Sequence, residues 1–208
     1  MTRVGGQVAS SLNLSDLARD AQLPLTTLQR LWALLEATFV VAAVPAWSAN
    51  LTSRIVKSPK LTMPDTGLLC HLLGIDAARL AEDGAMAGPV LETFVVSELS
   101  KQIEWSAERP SLFHFRTHKQ QEVDIVLETR SGAVVGIEVK KTASPSLSDF
   151  GGLRILKEAA GPRFVRGVLL CTVPEPVAFG PDLFAYPVSA LWASAPRGTA
   201  TGHARRAK

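Results

Sequence analysis

Two short β-type segments flank a polar turn. Glu122-Val123-Asp124-Ile125-Val126-Leu127 and Gly136-Ile137-Glu138-Val139-Lys140 both alternate, and Thr129-Arg130-Ser131-Gly132 separates them, so the chain is expected to make a β-hairpin here. Glu138 and Lys140 stand two apart and share one side of their strand, with Asp124 able to face them from the other. Carboxylates and an ammonium among Val, Ile and Leu are costly unless they are paired, hydrated or holding a cation. Asp124 and Glu138, with the Val139 carbonyl and waters, can supply the hard oxygen ligands that Mg²⁺ or Mn²⁺ prefers. Lys140 can then orient water or offset charge developing on a scissile phosphate. The competing reading is an ion pair at a sheet edge. No Gly-x-x-x-x-Gly-Lys-Ser/Thr motif occurs, so no ATP site of the P-loop kind is expected.

The other polar residues are weighed in the same way. Glu92 is expected in the first turn of a helix opening at Pro89, where the dipole favours a carboxylate whatever its use. From there it can also be aimed at the cavity of Asp124 and Glu138. Glu98 is expected to be solvated or paired with Lys101, and Glu122 to be an auxiliary ligand or polar rim. His114 and Arg116 alternate on the preceding strand, followed in a loop by His118 and Lys119, and can contact phosphate or simply cover a solvated face. Arg54, Lys57 and Lys60 fall in a stretch without acids, Ala37 to Met63, and suit DNA phosphate contacts.

Composition narrows the class. The 208 residues carry a net charge of +3, and removing Arg197, Arg205, Arg206 and Lys208 leaves −1. A globally basic nucleic-acid binder is therefore not indicated, and residues 194–208 are expected to be a basic, disordered tail. Cys70 and Cys171 lack metal-type spacing and are expected as buried, reduced thiols. With neither a signal core nor a membrane-length apolar run, a cytoplasmic location is expected.

Local patterns give the organisation. Helices are expected from Leu14, capped by Asn13 or Ser15, and from Thr26, with Leu28, Leu31, Trp32 and Leu35 on its apolar face. Phe39–Trp47 and Ser58–Met63 are expected as wing strands, then a helix 67–73 ended by Gly74 and a hinge up to Gly88. Beyond it come a helix to Ile103, strands at 111–116, 122–128 and 133–142, a helix 147–160, a strand 166–171 and a last short strand between Leu183 and Trp192. This is an α/β (α+β) chain: a winged-helix-like domain over 1–84, then a mixed-sheet domain over 85–193.

Several phrases together resemble a known family. They are Asp65-Thr-Gly-Leu-Leu, Gly88-Pro-Val-Leu-Glu92-Thr-Phe-Val-Val-Ser-Glu98-Leu, Phe113-His-Phe-Arg116, Glu122-Val-Asp124-Ile-Val and Ile137-Glu138-Val-Lys140. The likeness is to the C-terminal region, of unassigned function, that follows the ATPase module in a large group of prokaryotic AAA+ proteins. It runs from Leu14 to Trp192, including Asn50-Leu-Thr-Ser-Arg54-Ile-Val-Lys57-Ser-Pro-Lys60. The resemblance implies a winged helix joined to a PD-(D/E)XK, restriction-endonuclease-like domain. It places Glu92, Asp124, Glu138 and Lys140 on the helix acid, central acid and E-x-K strand of that fold. Many members of the fold bind without cutting. With no ATPase module in this sequence, the chain is expected to be a truncated or split member.

Two functions follow as expectations. One is Mg²⁺-dependent hydrolysis of DNA, with Asp124 and Glu138 as metal ligands, Lys140 polarising water and Glu92 auxiliary. The other is a non-catalytic DNA- or protein-binding module serving an AAA+ ATPase partner or self-associating. A decayed fragment is a third possibility.

Overall fold

The computed structural model describes residues 13–50, 54, 58–82, 84–117, 119 and 121–193. Lys57, His118 and the basic residues beyond 193 lie outside it, so the expectations placed on them have no structural counterpart here.

The chain opens with helices α1 (Leu14–Ala21) and α2 (Leu25–Ala37). Asn13 caps α1, its side-chain oxygen accepting from the Ser15 and Asp16 amides. Pro24 precedes α2 without a side-chain cap. Strands β1 (Ala42–Val44) and β2 (Lys60–Thr62) pair antiparallel, with Val44 opposite Lys60. Both expected wing strands are therefore present, though far shorter than the β-rich stretch suggested. Helix α3 (Thr66–Leu73) is capped by Asp65 and ends at Gly74, whose left-handed φ of 66° closes the last turn.

The expected hinge is instead helical. Helix α4 (Ala77–Glu82) occupies it, and α5 runs over Gly84–Trp105 with Pro89 inside. Proline is tolerated in a first turn, where its missing N–H bonds nothing, and it falls there only if the turns before it are ignored. Ala85, Met86 and Ala87 are good helix formers, and they carry the helix past that signal.

The rest is a six-stranded mixed sheet. Strands β3 (Ser111–Arg116), β4 (Glu122–Glu128) and β5 (Val134–Val139) form an antiparallel meander, so the expected hairpin is present. A 3₁₀ turn (Leu147–Phe150) and helix α6 (Gly151–Ala160) then cross to β6 (Phe164–Cys171), which pairs parallel to β5. Strand β8 (Leu183–Pro187) pairs parallel to β6, and the two-residue β7 (Val177–Ala178) closes the edge. The architecture is α+β. Among the described residues, no helix is long and apolar enough to cross a membrane. Cys70 is half-buried, Cys171 buried, and both are free.

Three apolar clusters hold these layers. One packs α6 on the sheet through Phe150, Leu153, Leu156 and Val123. Another gathers Leu17, Trp32, Leu61 and Met63 with Val90 of α5. The third joins Val44 of β1 to Val95 of α5 and to Ile125, Ile137 and Leu170 of the sheet. The hairpin β1–β2 is thus buried on both faces. Leu61 and Met63 enter the helical cluster, and strand alternation sends Lys60 to the opposite side.

Candidate functional site

The β4–β5 register pairs Ile125 with Ile137 and sets Asp124 beside Glu138 and Val139. The Val139 amide donates to Asp124 Oδ2 at 2.9 Å, tying the carboxylate to the end of β5. Asp124 is buried at 7% exposure. Glu92 approaches from α5. It lies in the interior of that helix, more than a turn beyond Gly84, so the dipole of a first turn is not what places it there. Burial first, and then the neighbouring Asp124 charge, push the Glu92 carboxyl up to about 7. The same two causes push Glu138 up to about 9, and its Oε2 is buried without a hydrogen-bond partner.

The cation paired with Glu92 and Asp124 is Lys60, while Glu138 lies in the field of Lys140 first and of Lys60 next. The Lys60 Nζ stands 2.5 Å from Glu92 Oε1 and 3.4 Å from Asp124 Oδ1, and the residue is only 6% exposed. It is not turned outward as a DNA phosphate contact requires, because a strand that buries its odd residues in the helical core turns this even one into the acids. Lys140, the motif lysine, follows the last residue of β5 and extends to Asp149 at 3.2 Å instead. Asp149 is held below the usual carboxylate range by the Ser146 amide and then by that ammonium.

Arg54 is also turned inward. Its guanidinium takes Glu128 in a two-pronged pair at 2.5 and 3.0 Å, donates to the Ser48 carbonyl at 2.7 Å, and lies over the rings of Phe113 and Trp47. The sequence offered no acid near Arg54; its partner comes from β4, 74 positions on. Of the described DNA-contact candidates, Arg116 keeps a partly open side chain, 36% exposed and 3.8 Å from Glu122, and Lys119 is exposed. Glu122 is correspondingly rim rather than ligand. His114 departs from the expected solvated face: it is 3% exposed, with Nε2 3.3 Å from the Ser58 carbonyl. Glu98 pairs with Lys101 at 2.6 Å as anticipated, and also accepts from the Trp192 indole.

As folded, the cluster does not fit a divalent ion. Among the described residues, no group of three or more His, Cys, Asp and Glu is placed to hold a metal. The ammonium of Lys60 already lies against two of the three acids, and one Asp124 oxygen is committed to an amide.

The raised Glu138 carboxyl makes stability fall with pH. Below about 4.5 both folded and unfolded chains hold the proton; between there and about 9 only the folded chain does, so stability is lost progressively across that window. Glu138→Gln is expected to flatten the decline, read as the thermal midpoint from pH 5 to pH 9. An unchanged slope would mean that Glu138 is not held protonated.

Comparison with known proteins agrees with a site of undefined activity. A model for a domain of unknown function (DUF4143) matches residues 87–191, and another (DUF8612) matches residues 1–79. Uncharacterized proteins of Mycobacterium bovis and Mycobacterium tuberculosis are each 37% identical over 134 residues. That stretch is 64% of this chain but 29% of each relative, so the chain spans under a third of their length. A solved assembly of Thermococcus gammatolerans McrB AAA+ hexamers with bound McrC contains a chain with 12% identity and a TM-score of 0.35. That match covers 76% of this chain and 60% of the other, and a TM-score so low does not establish a shared fold. On the match over 87–191, this chain belongs to the DUF4143 family, whose domain is found in C-terminal regions associated with AAA+ ATPases.

Proposed function

We propose that this chain is a non-catalytic, protein-binding module of restriction-endonuclease-like design that works with an AAA+ ATPase. The observation that carries this reading is the internal use of its reactive and basic residues. Lys60 is paired with Glu92 and Asp124, Lys140 is engaged by Asp149, and Arg54 is locked to Glu128. A phosphodiesterase needs those acids open to a cation and its lysine turned toward the reacting phosphate. A DNA-binding wing needs its guanidinium and ammonium groups on the surface. Neither condition describes this arrangement. Exposed apolar side chains suit a protein partner better: Leu34 and Phe39, at the end of α2, are 62% and 81% exposed.

A metal-dependent DNA nuclease is the second reading, favoured by one specific observation. Glu138 Oε2 is a buried carboxylate oxygen with nothing to bond, and such perturbed acids cluster at functional sites. In that case Asp124 and Glu138 are the ligand residues, with Glu92 and Lys140 beside them.

Supercoiled, linear and single-stranded DNA incubated with the protein in Mg²⁺, Mn²⁺ or chelator separates the two. The expected result is no cleavage, with DNA binding weaker than the ~10⁻⁴ M of the weakest typical non-specific binders at physiological salt. Metal-dependent cleavage that disappears in Glu138→Ala would overturn the non-catalytic reading.

A further inference from the structure

The motif lysine and the lysine in the acid cluster are different residues. We infer that Lys60 is the resident cation of the cluster: an ammonium carried in on the N-terminal hairpin stands where a divalent ion would, and locks that hairpin to the α/β domain. This deepens the non-catalytic reading and rests on it for the role of the acids.

Three observations place Lys60 there by construction rather than by the wandering of a long side chain. Its backbone is fixed, because Lys60 pairs with Val44 and Val44 is buried against Val95 and Ile125. The strand leading out of β1 is fixed as well: the His114 amide donates to the Pro45 carbonyl at 2.9 Å, and the Trp47 amide donates to the His114 carbonyl at 2.6 Å. Finally, the side chain is 6% exposed, and a lysine is almost never so buried without anionic partners. Glu92 and Asp124 are those partners, reached from α5 and β4 respectively. Lys140, 38% exposed at its side chain, supplies no such closure.

The pairing also accounts for the direction of the hairpin. With Leu61 in the helical core, the opposite face of β2 must meet the α/β domain, and a cation there matches the charge it meets. An apolar residue at position 60 would leave two carboxylates facing each other across a dry interface.

Reductive methylation of the whole chain, read by mass spectrometry, tests the assignment without any substitution. Lys60 is expected to react about tenfold or more slowly than the exposed Lys101 and Lys157, since its reaction requires local opening. Adding Mn²⁺ should not change that rate, and the free Mn²⁺ resonance should not diminish. In Glu92→Gln, Lys60 should react faster. Lys60→Met is expected to lower the thermal midpoint by about 10 °C, and combining it with Glu92→Gln should restore a large part of the loss. Should Lys60→Met fail to fold, the labelling of the wild-type and Glu92→Gln proteins still decides the matter. Lys60 reacting as fast as Lys101, or Mn²⁺ taken up stoichiometrically with Lys60 released to reagent, would overturn the assignment. The functional reading fails separately: cleavage of DNA with Lys60 still protected removes that reading and leaves the resident cation standing.

Discussion

Gly152→Ala is expected to disrupt the packing of α6 on the sheet and to cost about 3 kcal/mol or more, placing it among the most damaging single substitutions available. A methyl group at this position would overlap the backbone carbonyl of Glu122 and lie 3.3 Å from Val123 Cγ2. A flexible side chain can step aside for an added methyl. A carbonyl inside β4 cannot, because moving it pulls on the strand that carries Asp124. The helix would have to lift, and Leu153 and Leu156 would lift with it from a core where both are fully buried. Gly151 is the control next door, since a methyl there meets nothing within 4 Å. Gly151→Ala should therefore be neutral or slightly stabilising, because alanine is the better helix former. The check is denaturant unfolding of both variants; equal midpoints would show that the close approach of α6 to β4 is not as described.

Arg54→Ala is expected to destabilise the protein by about 3 kcal/mol, a fall of roughly 6–12 °C in thermal midpoint for a chain of this size. The guanidinium satisfies both oxygens of Glu128 with side-chain exposures of 13% and 12%, so its loss strands a nearly buried carboxylate. Arg163, 3.2 Å from the same carboxylate, moderates the damage without replacing the two-pronged geometry. Stacking on Phe113, with the guanidinium 4.9 Å from the ring centre, is lost as well. The pH response supplies a second readout. Hydrogen bonding from Arg54 first, and its charge next, hold Glu128 below the usual carboxylate range, so it contributes stability that fades as pH falls through that lowered value. Arg54→Ala should lose much of this acid sensitivity. Arg54→Lys, which keeps the charge but not the fork, is expected to fall in between. A wild-type midpoint in Arg54→Ala would show that the clasp does not hold the halves together.

These two residues also mark what could be read along the chain and what could not. Strands with alternating Val, Ile and Leu declared themselves because a two-residue period is a local property, and so did the hairpin that sets Asp124 beside Glu138. Gly74 announced a helix end for the same reason, as the pair Asn13 and Ser15 did a helix start. Helix α5 began earlier than Pro89 suggested, since proline marks a first turn only when nothing helical precedes it. Of the candidate acids, Glu92 and Asp124 meet at one ammonium, and Asp124 lies beside Glu138. Their cation was not legible along the chain. A positive residue in an acid-free stretch looks like a surface contact, because the carboxylates that claim Lys60 and Arg54 lie far along the chain. Lys60 carries a weak signal in hindsight. It precedes Leu61 in a short β segment, and a lysine between alternating apolar residues belongs to one face of a strand whose other face is core.

Because the hairpin brings its positive charge into a cluster of acids, moving the hairpin is also a protonation event. Drawing β2 away from α5 and β4 takes the Lys60 charge from Glu92, but it also opens to water a carboxyl that burial, above all, holds up at about 7, so its affinity for the proton falls toward that of an ordinary glutamate. Binding of that kind would release protons to the medium and grow stronger as the solution became more alkaline. By reciprocity, raising the pH alone would loosen the hairpin's hold by the same coupling energy.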